Sequence, residues 1–293
     1  MERWYGLRKT FLLLLLLIVE LSFSQVFFST VDDLHEIVSN YLSLSEDPIV
    51  VAYSIDPEYL GLRNARMACE VPIEGAFVHI SEGLLHSKFM VLDEQTVIFG
   101  SANFNQPSLE EHINNLIVFH SREIASFFKS IYNWLVYETT PRDHLKTREG
   151  EFFLVPISNV EKVFIDTLWK ARKYVFICSY AFTDEDIFAT LKFLSSEGVR
   201  IYIITDKWFE SSRLKSLPLE TFDVLEVKEP LMHHKFLVVD GKILITGSAN
   251  FTESGFHKNV EIVFKTSNKE YVESFVEEFE RIWRGYFVQG VRF

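Results

Sequence analysis

Two stretches of the chain, HSKFMVLDEQTVIFGSANF from His86 and HHKFLVVDGKILITGSANF from His233, repeat the same polar residues at the same spacing, 147 positions apart. Each holds a His, a Lys two residues on, then an Asp and a Gly-Ser-x-Asn. In an extended strand, residues i and i+2 project to one side. His86 and Lys88 therefore share a face, as do His233 and Lys235, while Phe89, Val91, Phe236 and Val238 point toward a core. Two-residue turns at Glu94-Gln95 and Gly241-Lys242, the second with glycine in its first central position, would set His86 opposite Asn103 and Lys88 opposite Ser101. The same register sets His233 against Asn250 and Lys235 against Ser248. An imidazole, an ammonium, a hydroxyl and a carboxamide on one face suit a phosphate diester. Lys brings positive charge, Ser and Asn bring hydrogen-bond donors for non-bridging oxygens, and a neutral His attacks phosphorus or moves a proton near neutral pH. A covalent route needs a nucleophile and a separate acid for the leaving oxygen. One copy supplies one His; two copies facing across a pseudo-twofold supply both.

The elements around these stretches repeat as well. A strand-like start at Val26 or Phe152, a helical pattern, and a second apolar run (IVVAYSI or YVFICSYA) precede each copy, and an amphipathic helix follows it, over 121–137 and 267–283. Strands alternating with helices predict α/β layers. The polar stretch TTPRDHLKTREGE reads as a linker over 139–151, giving a first half at 25–138 and a second at 152–293. Between Ala181 and His233 the second half has room for a helix and a strand; the first half is shorter there, so the first copy is trimmed.

The spacing His86-x-Lys88-x4-Asp93-x6-Gly100-Ser101-x-Asn103 and its partner from His233 to Asn250 resemble the paired HKD motifs of the phospholipase D superfamily. Six fixed positions arise by chance about once in 10⁷ starts at ordinary residue frequencies, and here they occur twice. The resemblance implies two similar α-β-α sandwich halves with mixed sheets, related by a pseudo-twofold, with the site at their interface and a metal-independent phosphohistidine mechanism. It implies His86 as nucleophile and His233 as the acid that later deprotonates water. Lys88, Lys235, Asn103 and Asn250 would hold the phosphate with Ser101 and Ser248 in support, and Asp93 and Asp240 are read as structural. The family's downstream Asn-x-Glu matches Asn259-Val260-Glu261. Its counterpart is read as Asn114-Asn115-Leu116, which lacks the acid, so Glu261 is expected to serve His86 from across the interface while His233 uses another acceptor, with Glu110 or Glu111 as substitutes. The implied activity is hydrolysis of a phosphodiester, a phospholipid head group first, with endonuclease, phosphatidyltransferase and non-catalytic anion binder as alternatives. No cofactor or metal is called for, and both half-sites in one chain predict a monomer.

Composition sets the limits. The 293 residues are 48% hydrophobic, enough for two modest domains with substantial cores, and the formal charge of −12 argues against a broad basic nucleic-acid surface. Arg3, Arg8 and Lys9 precede an apolar run at 11–19, and Ser22-Phe23-Ser24 supplies small residues, so 1–24 reads as an export signal or an N-terminal membrane anchor. Cys69 and Cys178 are too few for a disulfide framework; Cys178 reads as a core thiol, with a single bridge as the alternative. His35, His79, His112, His120 and His257 read as structural, His234 as pointing away from the site, and His144-x-Lys146 as a decoy. Arg63, Arg66, Lys207, Trp208, Phe209, Arg213 and Lys215 read as solvated loop residues, and the 28 Phe as core.

Overall fold

The computed structural model describes residues 24–206 and 222–287. Residues 1–23 of the export or anchor segment read at 1–24, and the loop residues Lys207, Trp208, Phe209, Arg213 and Lys215, lie outside the described residues.

The first half forms a seven-stranded sheet from β1 (Gln25–Phe28), β2 (Ile49–Ala52), β3 (Arg66–Cys69), β4 (Phe77–Val78), β5 (Phe89–Val91), β6 (Thr96–Gly100) and β7 (Asn115–His120). The second forms an eight-stranded sheet from β8 (His144–Lys146), β9 (Glu151–Val155), β10 (Tyr174–Ser179), β11 (Arg200–Asp206), β12 (Asp223–Val227), β13 (Lys235–Val239), β14 (Ile243–Gly247) and β15 (Glu261–Thr266). The order β1-β7-β6-β5-β2-β3-β4 is matched strand for strand by β9-β15-β14-β13-β10-β11-β12, with β8 added outside β9. Only β2-β3-β4 and β10-β11-β12 run parallel, so both sheets are mixed. The duplication read from the sequence is thus a duplication of topology.

Helices α1 (Leu34–Leu42), α2 (Arg122–Tyr137), α3 (Val160–Leu168), α4 (Glu185–Ser196), α5 (Glu253–His257) and α6 (Lys269–Phe287) cover the sheets. Alternation along the strands decides which layer each side chain enters. Phe89, Val91, Phe236 and Val238 join a central cluster with α2 and α6, while Met90 joins the outer cluster on α1, and Leu237 and Val239 the outer cluster on α3, α4 and α5. The central cluster belongs to both halves. Phe119 of the first lies 5.3 Å from Phe152 and 5.2 Å from Phe264 of the second, and those two stack at 4.7 Å. Burial of such large aromatic surface joins the halves without directional bonds.

Two segments differ from their sequence reading. Within 139–151, His144–Lys146 forms an edge strand on β9, because Leu145 is buried between two exposed neighbours. Three residues of alternation are too few to stand out in sequence. In the trimmed region β2 runs to β3 without the helix that α4 supplies between β10 and β11, yet the parallel strands β3 and β4 remain. Cys69 and Cys178 are both free and buried. Among the described residues no helix is long and apolar enough to cross a membrane.

One buried polar group crosses the central layer. His234 turns away from His233 and places Nδ1 3.1 Å from Asn115 Oδ1 and Nε2 3.0 Å from Glu278 Oε1, with Thr30 and Arg281 on the other Glu278 oxygen. Burial pushes the Glu278 carboxyl up, but His234, Thr30 and Arg281 outweigh it and hold the group below its ordinary value. A depressed carboxyl stabilises the fold above the ordinary carboxylate range and loses that contribution as pH falls through its folded value. Glu278→Gln is therefore expected to lower stability by about 3 kcal/mol in urea unfolding at neutral pH, with the gap to wild type narrowing in acid.

Candidate active site

The two catalytic-type histidines sit on the seam between the halves, and each is pinned by the opposite half. The His86 N–H donates to Val260 O at 3.0 Å and the Val260 N–H donates to Leu84 O at 2.8 Å. Across the pseudo-twofold, the His233 N–H donates to Ile113 O at 2.9 Å and the Ile113 N–H to Leu231 O at 2.8 Å. The chain segments that carry the histidines thus pair with the segments that precede β15 and β7.

The hairpins differ from expectation by one residue. Phe89 pairs with Phe99 and Phe236 with Thr246, so each loop has three residues, Asp93-Glu94-Gln95 and Asp240-Gly241-Lys242. In the first hairpin the Asp side chain closes the longer turn, and in the second it ties the turn to the start of β10. Asp93 accepts from the backbone N–H of Gln95 and Thr96, both at 2.6 Å, and from Thr96 Oγ1. Asp240 adopts φ 53° and accepts from the N–H groups of Arg172, Lys173 and Tyr174. A one-residue slip changes which side chains oppose one another, and it directs Ser101 and Ser248 onto the neighbouring strand. Ser101 Oγ accepts from the Asn115 N–H at 3.0 Å and donates to Asn114 Oδ1 at 2.8 Å, while Ser248 Oγ accepts from the Ile262 N–H at 3.1 Å. Both hydroxyls are thus engaged within the protein, Ser101 by backbone and the Asn114 side chain and Ser248 by backbone. Gly100 and Gly247 permit it: a Cβ there would lie 2.1 Å from Asn115 O and 2.3 Å from Ile262 O. Asn103 and Asn250 stand past the strand ends, each with a buried Oδ1 that has no partner, which leaves hydrogen-bonding capacity at the same place in both halves.

His86 Nδ1 lies 2.7 Å from Glu261 Oε1, contributed by the other half. His233 Nδ1 lies 3.0 Å from Asn114 Oδ1. With the repeat offset of 147, the position equivalent to Glu261 is 261 − 147 = 114. Asn114, and not Leu116, therefore replaces the acid, and Leu116 is a core residue of β7. The constant offset carried this signal. Nor do the proposed substitutes act: Glu110 accepts from Tyr59 Oη and Gln106 Nε2, and Glu111 is exposed. The orientation of Asn114 is decided by its other bonds, Nδ2 donating to Ser108 O and Oδ1 accepting from Ser101. A fixed carbonyl oxygen accepts only, so His233 carries its proton on Nδ1 and leaves Nε2 for the site.

The two histidines differ in charge environment. Burial lowers the His86 value, opposed by Glu261 and reinforced by Lys88. Burial, Lys235, Lys88 and His86 all lower His233, which lies well below the ordinary histidine range. Lys88 and Lys235 are buried, donating Nζ to His86 O and to His233 O respectively. Burial brings Lys88 down to about 7, against the attraction of Glu261. Burial and then Lys88 bring Lys235 well below its ordinary value. Burial raises the Glu261 carboxyl, but His86 and Lys88 overcome this and hold it below the ordinary range. Among the described residues no group of three or more His, Cys, Asp or Glu could hold a metal ion.

Sequence reasoning missed two flanking tyrosines. The Tyr53 ring lies 6.0 Å from His86; Tyr180 lies 5.2 Å from His233, with Lys235 Nζ 5.3 Å from its centroid. Val51 pairs with Phe89 and Cys178 with Phe236, so Tyr53 and Tyr180 are equivalent residues. An alignment of IVVAYSI with VFICSYA that sets Val51 on Cys178, at an offset of 180 − 53 = 127, pairs them.

Two buried lysines whose protonation is disfavoured by burial are stabilised as cations by an anion placed near them. Sulfate, whose charge is constant from pH 6 to 9, is expected to bind less tightly as pH rises through about 7, where Lys88 loses its proton. Lys88→Met is expected to weaken sulfate binding and flatten that pH dependence in isothermal titration.

The motifs have counterparts in known proteins. A family model described as "Cardiolipin synthase, PLD-like domain" matches residues 45–136 and 164–283, one stretch in each half. Human mitochondrial cardiolipin hydrolase is 38% identical over 120 residues, covering 40% of this chain and 48% of that protein. The chain thus spans about half the length of that curated relative. Polyphosphate kinase from Porphyromonas gingivalis superposes with a TM-score of 0.67 at 12% identity, over 89% of this chain and 47% of that one. Phosphatidylserine synthase from Haemophilus influenzae superposes with a TM-score of 0.63 at 13% identity, over 89% and 86%. At such identities the likeness is one of fold.

Proposed function

The chain belongs to the phospholipase D superfamily, and on that premise we propose that it hydrolyses phosphodiesters, phospholipid head groups first, through a phosphohistidine. The observation that carries the reading is the pair of histidines meeting at the seam, each with Nδ1 held by the opposite half and Nε2 left for the site. The relatives named for lipid cleavage, cardiolipin hydrolase and the phospholipase D of Rickettsia bellii, favour a lipid substrate. Export directed by residues 1–24, and action as a monomer with both half-sites in one chain, are parts of the same proposal.

Lys88, Lys235, Asn103 and Asn250 hold the diester anion, and Ser101 and Ser248 brace the strands behind them. His86 Nε2 attacks phosphorus. The bond from phosphorus to the leaving oxygen breaks, and His233, protonated on Nε2, delivers that proton to the leaving alcohol. His233 then takes a proton from water as its oxygen attacks phosphorus, and the P–N bond breaks to release the phosphomonoester and His86.

The asymmetry suits these roles. Phosphorylation makes the His86 ring cationic while Nδ1–H still faces Glu261, so the carboxylate stabilises the intermediate. His233 faces a neutral amide. Its cation depends on the charge that the diester brings, and it gives up the proton readily once that charge disperses.

His86→Asn and His233→Asn are each expected to lower turnover of a chromogenic diester by at least about 10³-fold with binding retained, and turnover is expected to survive EDTA. A wild type inert on phosphatidylcholine vesicles, single-stranded DNA and the chromogenic diester alike would overturn the reading. Activity on DNA alone selects the endonuclease, and added alcohol appearing in the product selects the transferase.

Two further variants separate the roles. Glu261→Gln removes the charge that favours the His86 cation, so the acid limb of kcat/KM moves to lower pH while the rate falls. Asn114→Asp adds a charge that favours the His233 cation, so the basic limb moves to higher pH. The opposite pairing of variant and limb would exchange the two roles.

A further inference from the structure

The segment that delivers His86 to the seam carries an exposed apolar edge. Val71 is 39% exposed, Leu84 43% and Ile80 91%. They lie at the catalytic end of the first sheet. The Val71 N–H donates to Tyr53 O at 2.9 Å, the Tyr53 ring flanks His86, and Leu84 is two residues before His86.

This edge is built to be held outward. Glu70 Oε2 accepts from the Leu85 N–H at 2.7 Å and from His79 Nδ1 at 3.1 Å, and Ser81 Oγ meets His79 Nε2 at 2.6 Å. Farther on, the Leu84 N–H donates to Asn259 Oδ1 at 3.1 Å, and at Gly83 a Cβ would lie 1.9 Å from Lys258 O. The loop is thus bonded on both sides of Ile80, one of the bonds reaching the other half, and Ile80 stays in solvent.

Its charge selects among partners. Residues 67–87 contain Glu70, Glu74 and Glu82 and no Lys or Arg, and both Glu74 and Glu82 are exposed. Such an edge repels a nucleic-acid backbone. A bilayer of zwitterionic lipid complements it: the outer ammonium groups meet Glu74 and Glu82, and acyl-chain surface takes up Ile80 and Leu84.

We propose that the loop 71–84 is an interfacial docking edge that seats the cleft on a zwitterionic lipid surface, with Ile80 as its leading side chain. The inference rests on the phosphodiesterase reading, since docking serves a cleft that takes head-group phosphate, and it locates the substrate in a membrane.

Two readouts on the full chain test it. Ile80→Asp is expected to lower turnover of phosphatidylcholine vesicles by at least about tenfold, leaving turnover of the soluble chromogenic diester unchanged. Ile80→Cys, labelled with a polarity-sensitive dye while Cys69 and Cys178 stay buried, is expected to shift its emission to the blue on addition of phosphatidylcholine vesicles. Vesicle turnover unaffected by Ile80→Asp, or no shift with vesicles, overturns the docking edge while the enzymatic reading stands. A shift with single-stranded DNA in place of vesicles overturns it in favour of a nucleic-acid surface. A wild type inert on every diester sinks the enzymatic reading and with it the purpose of docking, while the dye shift separately reports whether the edge meets the vesicle.

Discussion

Each catalytic-type histidine is fixed by the half of the molecule it does not belong to. Its backbone N–H donates to Val260 or Ile113, and its Nδ1 reaches Glu261 or Asn114, all on the opposite side of the seam. Neither half holds its own imidazole in a defined tautomer and orientation. The site therefore exists only while the seam is closed. The shared aromatic cluster around Phe119, Phe152 and Phe264 crosses between the halves, as do the bonds from His234 to Asn115 and from Thr30 to Glu278, and together they close it.

That constraint makes the buried charge intelligible. Lys88 and Lys235 lie in the interior within reach of each other's field, where desolvation and mutual repulsion both favour losing a proton. Among the described residues Glu261 is the carboxylate that attracts both lysines and a histidine. A diester anion relieves the same repulsion. Under the proposed function, anion binding and lysine protonation are coupled. Asn114 makes the arrangement unequal: it keeps the hydrogen-bonding direction of a carboxylate and omits its charge.

Much of this could be read from the chain. Spacing alone identifies the repeat, because six fixed positions recurring at a constant offset are improbable, and period-two alternation sends Phe89 and Phe236 to the core, where they lie. The hairpin register was less legible. The Asp93 carboxylate closes its own loop, whereas the Asp240 carboxylate bonds the backbone that leads into β10, and that bonding is visible only in three dimensions. The missing acid was placed at Leu116 because the tripeptide Asn-x-Glu was matched by its first residue, whereas the strand pairing aligns the halves on position 114.

By itself the sequence determined the superfamily and the internal duplication, because those depend on residue identity and spacing along one chain. Only the tertiary structure decided which acceptor serves which histidine, that Ser101 and Ser248 face backbone, that Tyr53 and Tyr180 flank the cleft, and that Ile80 stands in solvent beside it. Those are contacts between segments distant in sequence. Hydrogen-bond direction and burial, which no spacing encodes, select among them.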